Sequence, residues 1–175
     1  MMKQPKPMAQ ETEAVAVSSR RPRVTIRPAT RADVDTLLAI EQACFTAPWS
    51  RKMFEAELDG NPFSRLMIAA FADGHHAGGQ PAGFICYWVV FEELRFLNLA
   101  VVPWAQRRGM AAELLRHALA AGKAAGAVRA CLEVRASNEA ARALYARHGF
   151  RQTAIRPRYY VNPVEDAVIM SLDPL

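Results

Sequence analysis

From Glu93 to Phe150 the chain reads strand, helix, strand, helix, and this alternation limits the fold more than any other feature. The first strand, Glu93 to Val102, is stopped by Pro103. The helix over Arg107 to Gly126 carries an apolar stripe, with Met110, Leu114 and Ala118 beside Ala111, Leu115 and Leu119. A strand at Arg129 to Arg135 follows. Ser137 then caps a helix running to His148, with Gly149 as its left-handed C-cap. Strands joined through a helix require parallel neighbours in the sheet.

The upstream half supplies the rest of the sheet. Val24 to Arg27 alternates apolar and polar residues as a first strand. Thr30 and Asp33 have capping-box spacing, ahead of apolar positions that keep helical spacing from Val34 to about Ala43. Pro48 breaks that helix. Ser50 caps a second short one, with Met53, Phe54 and Leu58 on one face. Arg65 to Ala72 is a strand, DGHHAGGQP a hairpin connection, and a long strand then runs to about Phe91. Two final strands fit Phe150–Ile155 and Ala167–Leu172. The expected class is α/β with a mixed sheet of about seven strands and helices on both faces. Residues 23–175 form the single domain. Residues 1–22, rich in Pro, Gln, Glu and Ser, read as a disordered basic extension.

At 175 residues and 51% hydrophobic content, the chain can bury one sizeable core. Its longest apolar run, Phe84 to Phe91, is too short to span a bilayer, so no membrane partner is expected. The opening MMKQPKPMAQETEAV has proline and charge where a signal peptide has an apolar core, which predicts a cytoplasmic protein. Cys44, Cys86 and Cys131 are odd in number and lack a paired spacing, so each reads as a small core residue. The net charge of +5 is uneven. Residues 104–158 hold eleven basic and three acidic groups, whereas 24–103 hold six basic and nine acidic ones. The basic stretch favours a polyanion and the acidic flanks favour a cation. The tail's five spread basic groups lack interleaved aromatics, so nucleic acid is not an expected partner.

Three segments carry chemistry. In VVPWAQRRGMAAELL a strand ends, a loop follows and a helix opens. Gly109 leaves the backbone bare, so N–H groups can approach an anion at the positive end of the helix. Arg107 and Arg108 add full charges. The loop has neither the triphosphate-loop pattern nor the dinucleotide GxGxxG. By itself it reads equally as a helix start with solvated arginines. In RACLEVR, Cys131, Glu133 and Arg135 share one sheet face. A partly buried Glu133 would have the raised pKa of a general base; the other reading is a carboxylate paired with an arginine. Tyr145 shares a helical stripe with Ala141, Leu144 and His148, which also suits a core tyrosine. A phenol there can hand a proton to a thiolate, since their pKa values lie within roughly two units. Asn138 can serve amide groups of an extended ligand or simply cap the helix. His75 and His76 lack acidic or cysteine partners, so no metal is expected. No candidate nucleophile for covalent catalysis is present.

Taken together, the segments from about Val24 to Leu172 resemble the GCN5-related N-acetyltransferase family. The resemblance rests on QRRGMA at 106–111 and LYARHGF at 144–150. Within the family, APWS at 47–50, LNLAV at 97–101, LEVRASN at 132–138 and RYY…EDAVIM across 158–170 look most like the RimI type, which acetylates the terminal alanine of a small-subunit ribosomal protein. The family's loop often ends in Gly where Ala111 stands here.

The resemblance implies acetyl-CoA as cosubstrate, Glu133 as base and Tyr145 as acid. It implies that Leu99, Ala100 and Val101 pair with the pantetheine arm. Arg107, Arg108, Gly109, Met110, Ala111 and Ala112 would hold the pyrophosphate, and Asn138 would touch the cofactor. The acceptor would be a protein or peptide N-terminus, with Glu92, Glu93, Tyr159 and Tyr160 as candidates for its groove. Acetylation of other N-termini, lysines or a small amine is the alternative within the family. A non-catalytic acetyl-CoA-sensing module is the alternative outside catalysis.

Overall fold

The computed structural model describes residues 23–72 and 79–175. The extension over 1–22 and the histidines of the hairpin connection lie outside the described residues. Seven strands form one sheet: β1 (Val24–Pro28), β2 (Ser64–Phe71), β3 (Pro81–Val90), β4 (Glu93–Val101), β5 (Arg129–Arg135), β6 (Arg151–Val161) and β7 (Val164–Leu172). The helices are α1 (Val34–Cys44), α2 (Arg51–Glu55), α3 (Met110–Ala124) and α4 (Glu139–Arg147). The expected order of strands and helices along the chain is therefore the observed one.

The spatial order is β1-β2-β3-β4-β5-β7-β6. Among the described residues only the α3 crossover joins parallel neighbours, β4 and β5. The expectation of a parallel pair at each helical passage is corrected twice. β1 and β2 flank α1 and α2 yet pair antiparallel. After α4 the chain skips a place, and β7 turns back to fill it, antiparallel to both β5 and β6. The hairpin gives both strands partners without another crossover. It leaves β6 as an edge, exposed along nearly its whole length.

Local chemistry accounts for the element starts. The Asp33 carboxylate accepts from the Thr30 N–H (2.8 Å) and hydroxyl (3.0 Å), so the expected box forms, over a 3₁₀ turn that leads into α1. The stripe on α3 is buried as the spacing predicts: Met110, Leu114, Leu115 and Ala118 are at most 1% exposed. Met53 departs from expectation and faces solvent, whereas Phe54 is fully buried.

The core lies on both sides of the sheet. On one side Phe54 of α2 sits edge-on to Phe84 of β3 (5.5 Å) and tilted to Trp49 (5.4 Å). On the other, α3 lies so close that Gly122 faces the Leu94 side chain and Gly83 faces Met110. α4 joins this second side through Tyr145, Phe150 and Phe96, ring to ring at 5.9 and 6.0 Å. Among the described residues no helix is long and apolar enough to cross a membrane.

Candidate active site

The parallel ladder is short. It joins Glu93–Phe96 to Arg129–Leu132 and stops. There β4 bulges: Phe96 faces Tyr87 and Asn98 faces Cys86, so Leu97 has no opposite residue. A bulge bends and twists its strand. Beyond it β4 and β5 part, and a cleft of about 560 Å³ opens between them. Leu97, Asn98 and Leu99 form one wall, and Leu132 to Arg135 the other. The end of α1 and the loop after it close one side with Glu41, Cys44, Phe45 and Trp49; Asn138, Ala141 and Tyr145 close the other. The β4 edge from Leu97 onward has no strand beside it, so an extended ligand can pair there.

Glu133 and Tyr145 both line this cleft. The alternation of β5 turns Ala130, Leu132 and Val134 into the core and leaves Glu133 half-buried. Its Oε1 accepts from Arg156 Nη1 at 2.6 Å. The arginine pairing weighed from the sequence is thus present, and its partner is distant in the chain. Interaction with the Glu133 carboxylate leads the causes that push the Tyr159 phenol up. Tyr160 lines the cleft under the Arg135 guanidinium, 4.1 Å above its ring; burial, then the charge of Glu133, pushes its phenol up. Tyr145 is 8% exposed. Burial pushes its phenol well above the usual tyrosine range, and the charge of Tyr160 adds to this.

The loop before α3 is fastened to the end of β4. The Val101 carbonyl accepts from Gln106 Nε2 at 2.9 Å and from Cys44 Sγ at 3.4 Å. Arg107 has φ +63° and Gly109 has φ +92°. These left-handed residues turn the chain into α3 without a side-chain cap. The N–H of Glu113 is the first to reach back, to Gly109. The N–H groups of Met110, Ala111 and Ala112 are therefore open to an anion. Nothing lies within 4 Å of where a Cβ on Gly109 would stand. Bare N–H groups and an uncrowded glycine, with Arg107 in the same loop, suit a pyrophosphate.

Other candidates are placed differently. The Met110 side chain belongs to the core, and Arg108 stands 5.1 Å over the Phe71 ring. Ala100 and Val101 are buried at the end of β4, while Leu99 reaches the cleft. Asn138, not Ser137, is the N-cap of α4: its Oδ1 accepts from the Ala141 N–H at 3.1 Å. Ser137 instead donates its N–H to Glu165. Glu92 lies in the β3–β4 turn. Glu93 begins β4, at the end away from Leu99, and pairs with Arg95 (2.7 Å) and Arg129 (3.1 Å). Neither lines the cleft, which opens past the parallel ladder of Glu93–Phe96 with Arg129–Leu132. Glu41, Phe45, Trp49, Asn98 and Arg156 were not singled out from the sequence. Glu41 alone left a local signal, a carboxylate on the buried stripe of α1 with Leu37 and Ile40. Among the described residues no three His, Cys, Asp or Glu side chains cluster as a metal site would require.

The chain matches the Acetyltransferase (GNAT) family over residues 34–150. It is 37% identical over 150 residues to the ribosomal protein bS18-alanine N-acetyltransferase of Salmonella typhimurium, spanning 85% of this chain and 96% of that one. The protein of the same name from Escherichia coli K12 is 36% identical over 150 residues, with the same coverage. The crystal structure of the Escherichia coli ribosomal-protein-S18-alanine N-acetyltransferase superposes with a TM-score of 0.77 at 33% identity, covering 87% of this chain and 94% of the other. Ard1 from Thermoplasma volcanium superposes with a TM-score of 0.76 at 27% identity, covering 87% and 98%. At this identity and coverage the chain belongs to the GNAT acetyltransferase family, as an acyltransferase of the ribosomal-protein-alanine (RimI) type.

Proposed function

We propose that the protein transfers the acetyl group of acetyl-CoA directly to the N-terminal α-amine of alanine on a small-subunit ribosomal protein. Residues 23–175 are the catalytic domain in this reading, working in the cytoplasm. The observation that carries it is the parting of β4 and β5 at a cleft that Glu133 and Tyr145 both line. The names of the relatives supply the acceptor.

When bound, acetyl-CoA supplies an acyl group activated as a thioester. The open N–H groups of Met110 to Ala112, with Arg107, hold the pyrophosphate at the positive end of α3. The free edge of β4 at Leu97–Leu99 pairs with the extended arm and offers backbone donors to the carbonyl oxygen as it gains charge. Asn138 keeps its carboxamide nitrogen for the same ligand while its oxygen caps α4.

An α-amine has a pKa of about 7.7–8.0, so roughly a tenth is neutral near pH 7. Glu133 then has modest work: it accepts one proton, at once or through a water, as the nitrogen attacks. Arg156 holds its carboxylate at the cleft. Tyr145 provides the proton for the departing thiolate. The phenol is protonated at neutral pH, and burial, which raises it, widens its gap to the thiolate it serves. No covalent enzyme intermediate is required.

The test is mass spectrometry of a peptide copying the ribosomal N-terminus after incubation with acetyl-CoA. One acetyl group on the α-amine is expected. An unmodified peptide in the presence of bound cofactor refutes the reading. Faster acetylation of internal lysines or free small amines in the same panel refutes the acceptor assignment. Glu133→Gln and Tyr145→Phe should each slow turnover by at least about tenfold. If neither does, the acid–base roles are wrong.

A further inference from the structure

Glu41 is 1% exposed, a carboxylate on the core stripe of α1. Buried carboxylates are rare unless held by donors. Three hydrogen bonds hold this one. Oε1 accepts from the Trp49 backbone N–H at 2.9 Å. Asn98 Nδ2 donates to both oxygens, at 3.2 and 3.0 Å. Burial pushes the carboxyl up, and these two partners only partly offset it.

The partners stand on adjoining sides of the cleft. Trp49 ends the loop after α1, which forms the side away from Tyr145. Asn98 is the first residue past the β4 bulge, where the strand leaves β5. Trp49 cannot simply swing, because its ring packs on Phe54. One turn on from Glu41, Cys44 adds a second tie from the same helix, to the Val101 carbonyl.

We propose that Glu41 is a positioning residue: it ties the loop over 45–49 to the bulged strand and so fixes the side of the cleft that the acceptor meets. This rests on the acetyltransferase reading. The pyrophosphate seat is built from α3 and its loop, which Glu41 does not touch. Asn98 and Leu99 keep their ladder to β3 without it, so the strand edge that meets the acetyl-CoA arm holds, and loss of the tie frees the loop over 45–49 instead.

Two measurements test it. In steady-state kinetics, Glu41→Ala is expected to raise the acceptor KM by tenfold or more and to leave the acetyl-CoA KM within twofold. Glu41→Gln keeps an oxygen for the Trp49 N–H, and an inverted Asn98 amide can meet its nitrogen. That variant should return the acceptor KM to within about threefold of the parent. Equal rises in both KM values, an unchanged acceptor KM in Glu41→Ala, or no rescue by Glu41→Gln overturns the proposal. Hydrogen exchange reads the tie without turnover. In Glu41→Ala, amides over 45–50 should exchange at least tenfold faster while those of α3 stay protected. Unchanged exchange over 45–50, or simultaneous loss of protection in α3, overturns the tether even if the parent chain proves inactive. An inactive parent refutes the acetyltransferase reading separately.

Discussion

Gly83 on β3 links packing to the proposed cofactor seat. A Cβ placed on it would stand 2.8 Å from the Ala100 carbonyl oxygen, 3.1 Å from Met110 Sδ and 3.1 Å from Val101 Cγ2. The two side chains can yield a few tenths of an ångström. The backbone oxygen cannot, because Ala100 is paired across the ladder with Phe84. Gly83→Ala therefore belongs near the upper end of the about 1–3 kcal/mol that overpacking costs. Replacing a strand glycine returns roughly 0.5–1 kcal/mol of chain entropy. The net loss is about 2 kcal/mol, which in a chain of this size lowers Tm by about 4–8 °C. Met110 is also the first residue of α3, so the displacement reaches the N–H groups assigned to the pyrophosphate. Thermal unfolding followed by circular dichroism, with calorimetric titration of acetyl-CoA, measures both effects. A Tm equal to the parent's refutes the packing argument. A lowered Tm with unchanged acetyl-CoA affinity shows that the start of α3 is not the cofactor's seat.

Gly109→Ala is the opposite case, with open space but φ +92°. It should cost about 1–2 kcal/mol through the left-handed backbone alone, and weaken acetyl-CoA binding in the same titration. The Asp33 carboxyl is held well below the usual carboxylate range, first by its bond to Arg27. A lowered native pKa gives stability that is full above the unfolded value near 3.9 and is lost as pH falls below it. Asp33→Asn should therefore destabilise by about 1.5–3 kcal/mol at pH 7 in urea unfolding, with the gap narrowing toward pH 2. An equal gap at both pH values would contradict the pairing. Tyr145 has the reverse sign. Its raised phenol stabilises fully below the unfolded value near 10, and that share is lost as pH rises above it. Tyr145→Phe should flatten the fall of Tm above pH 10, and a parallel fall in both proteins would show that the phenol is not buried.

The elements whose signals are local were legible. β5 occupies the stretch its alternation predicts, because each of its residues meets the same two faces along the strand. The α3 stripe and the Thr30–Asp33 box need only neighbours within a turn or two. The start of α4 was displaced by one residue: Ser137 and Asn138 are both good caps, and the pull of Glu165, twenty-eight residues away, decided between them. Glu92 and Glu93 drew attention through charge, but charge says nothing about which end of β4 opens. Arg156 escaped notice because its meeting with Glu133 depends on β7 lying between β5 and β6.

The sequence by itself determined the order of strands and helices, the faces they bury and the residue types that base, acid and anion site require. These follow from side-chain spacing and backbone preference, which act over a few residues. Only the tertiary structure decided where the β4–β5 ladder ends, which strand fills the place beside β5, and that Glu41 joins the loop after α1 to β4. Those outcomes depend on a bulge, on a strand inserted out of order, and on partners eight and fifty-seven residues from Glu41. Such contacts form only when the whole sheet has chosen its register, so no window along the chain contains them.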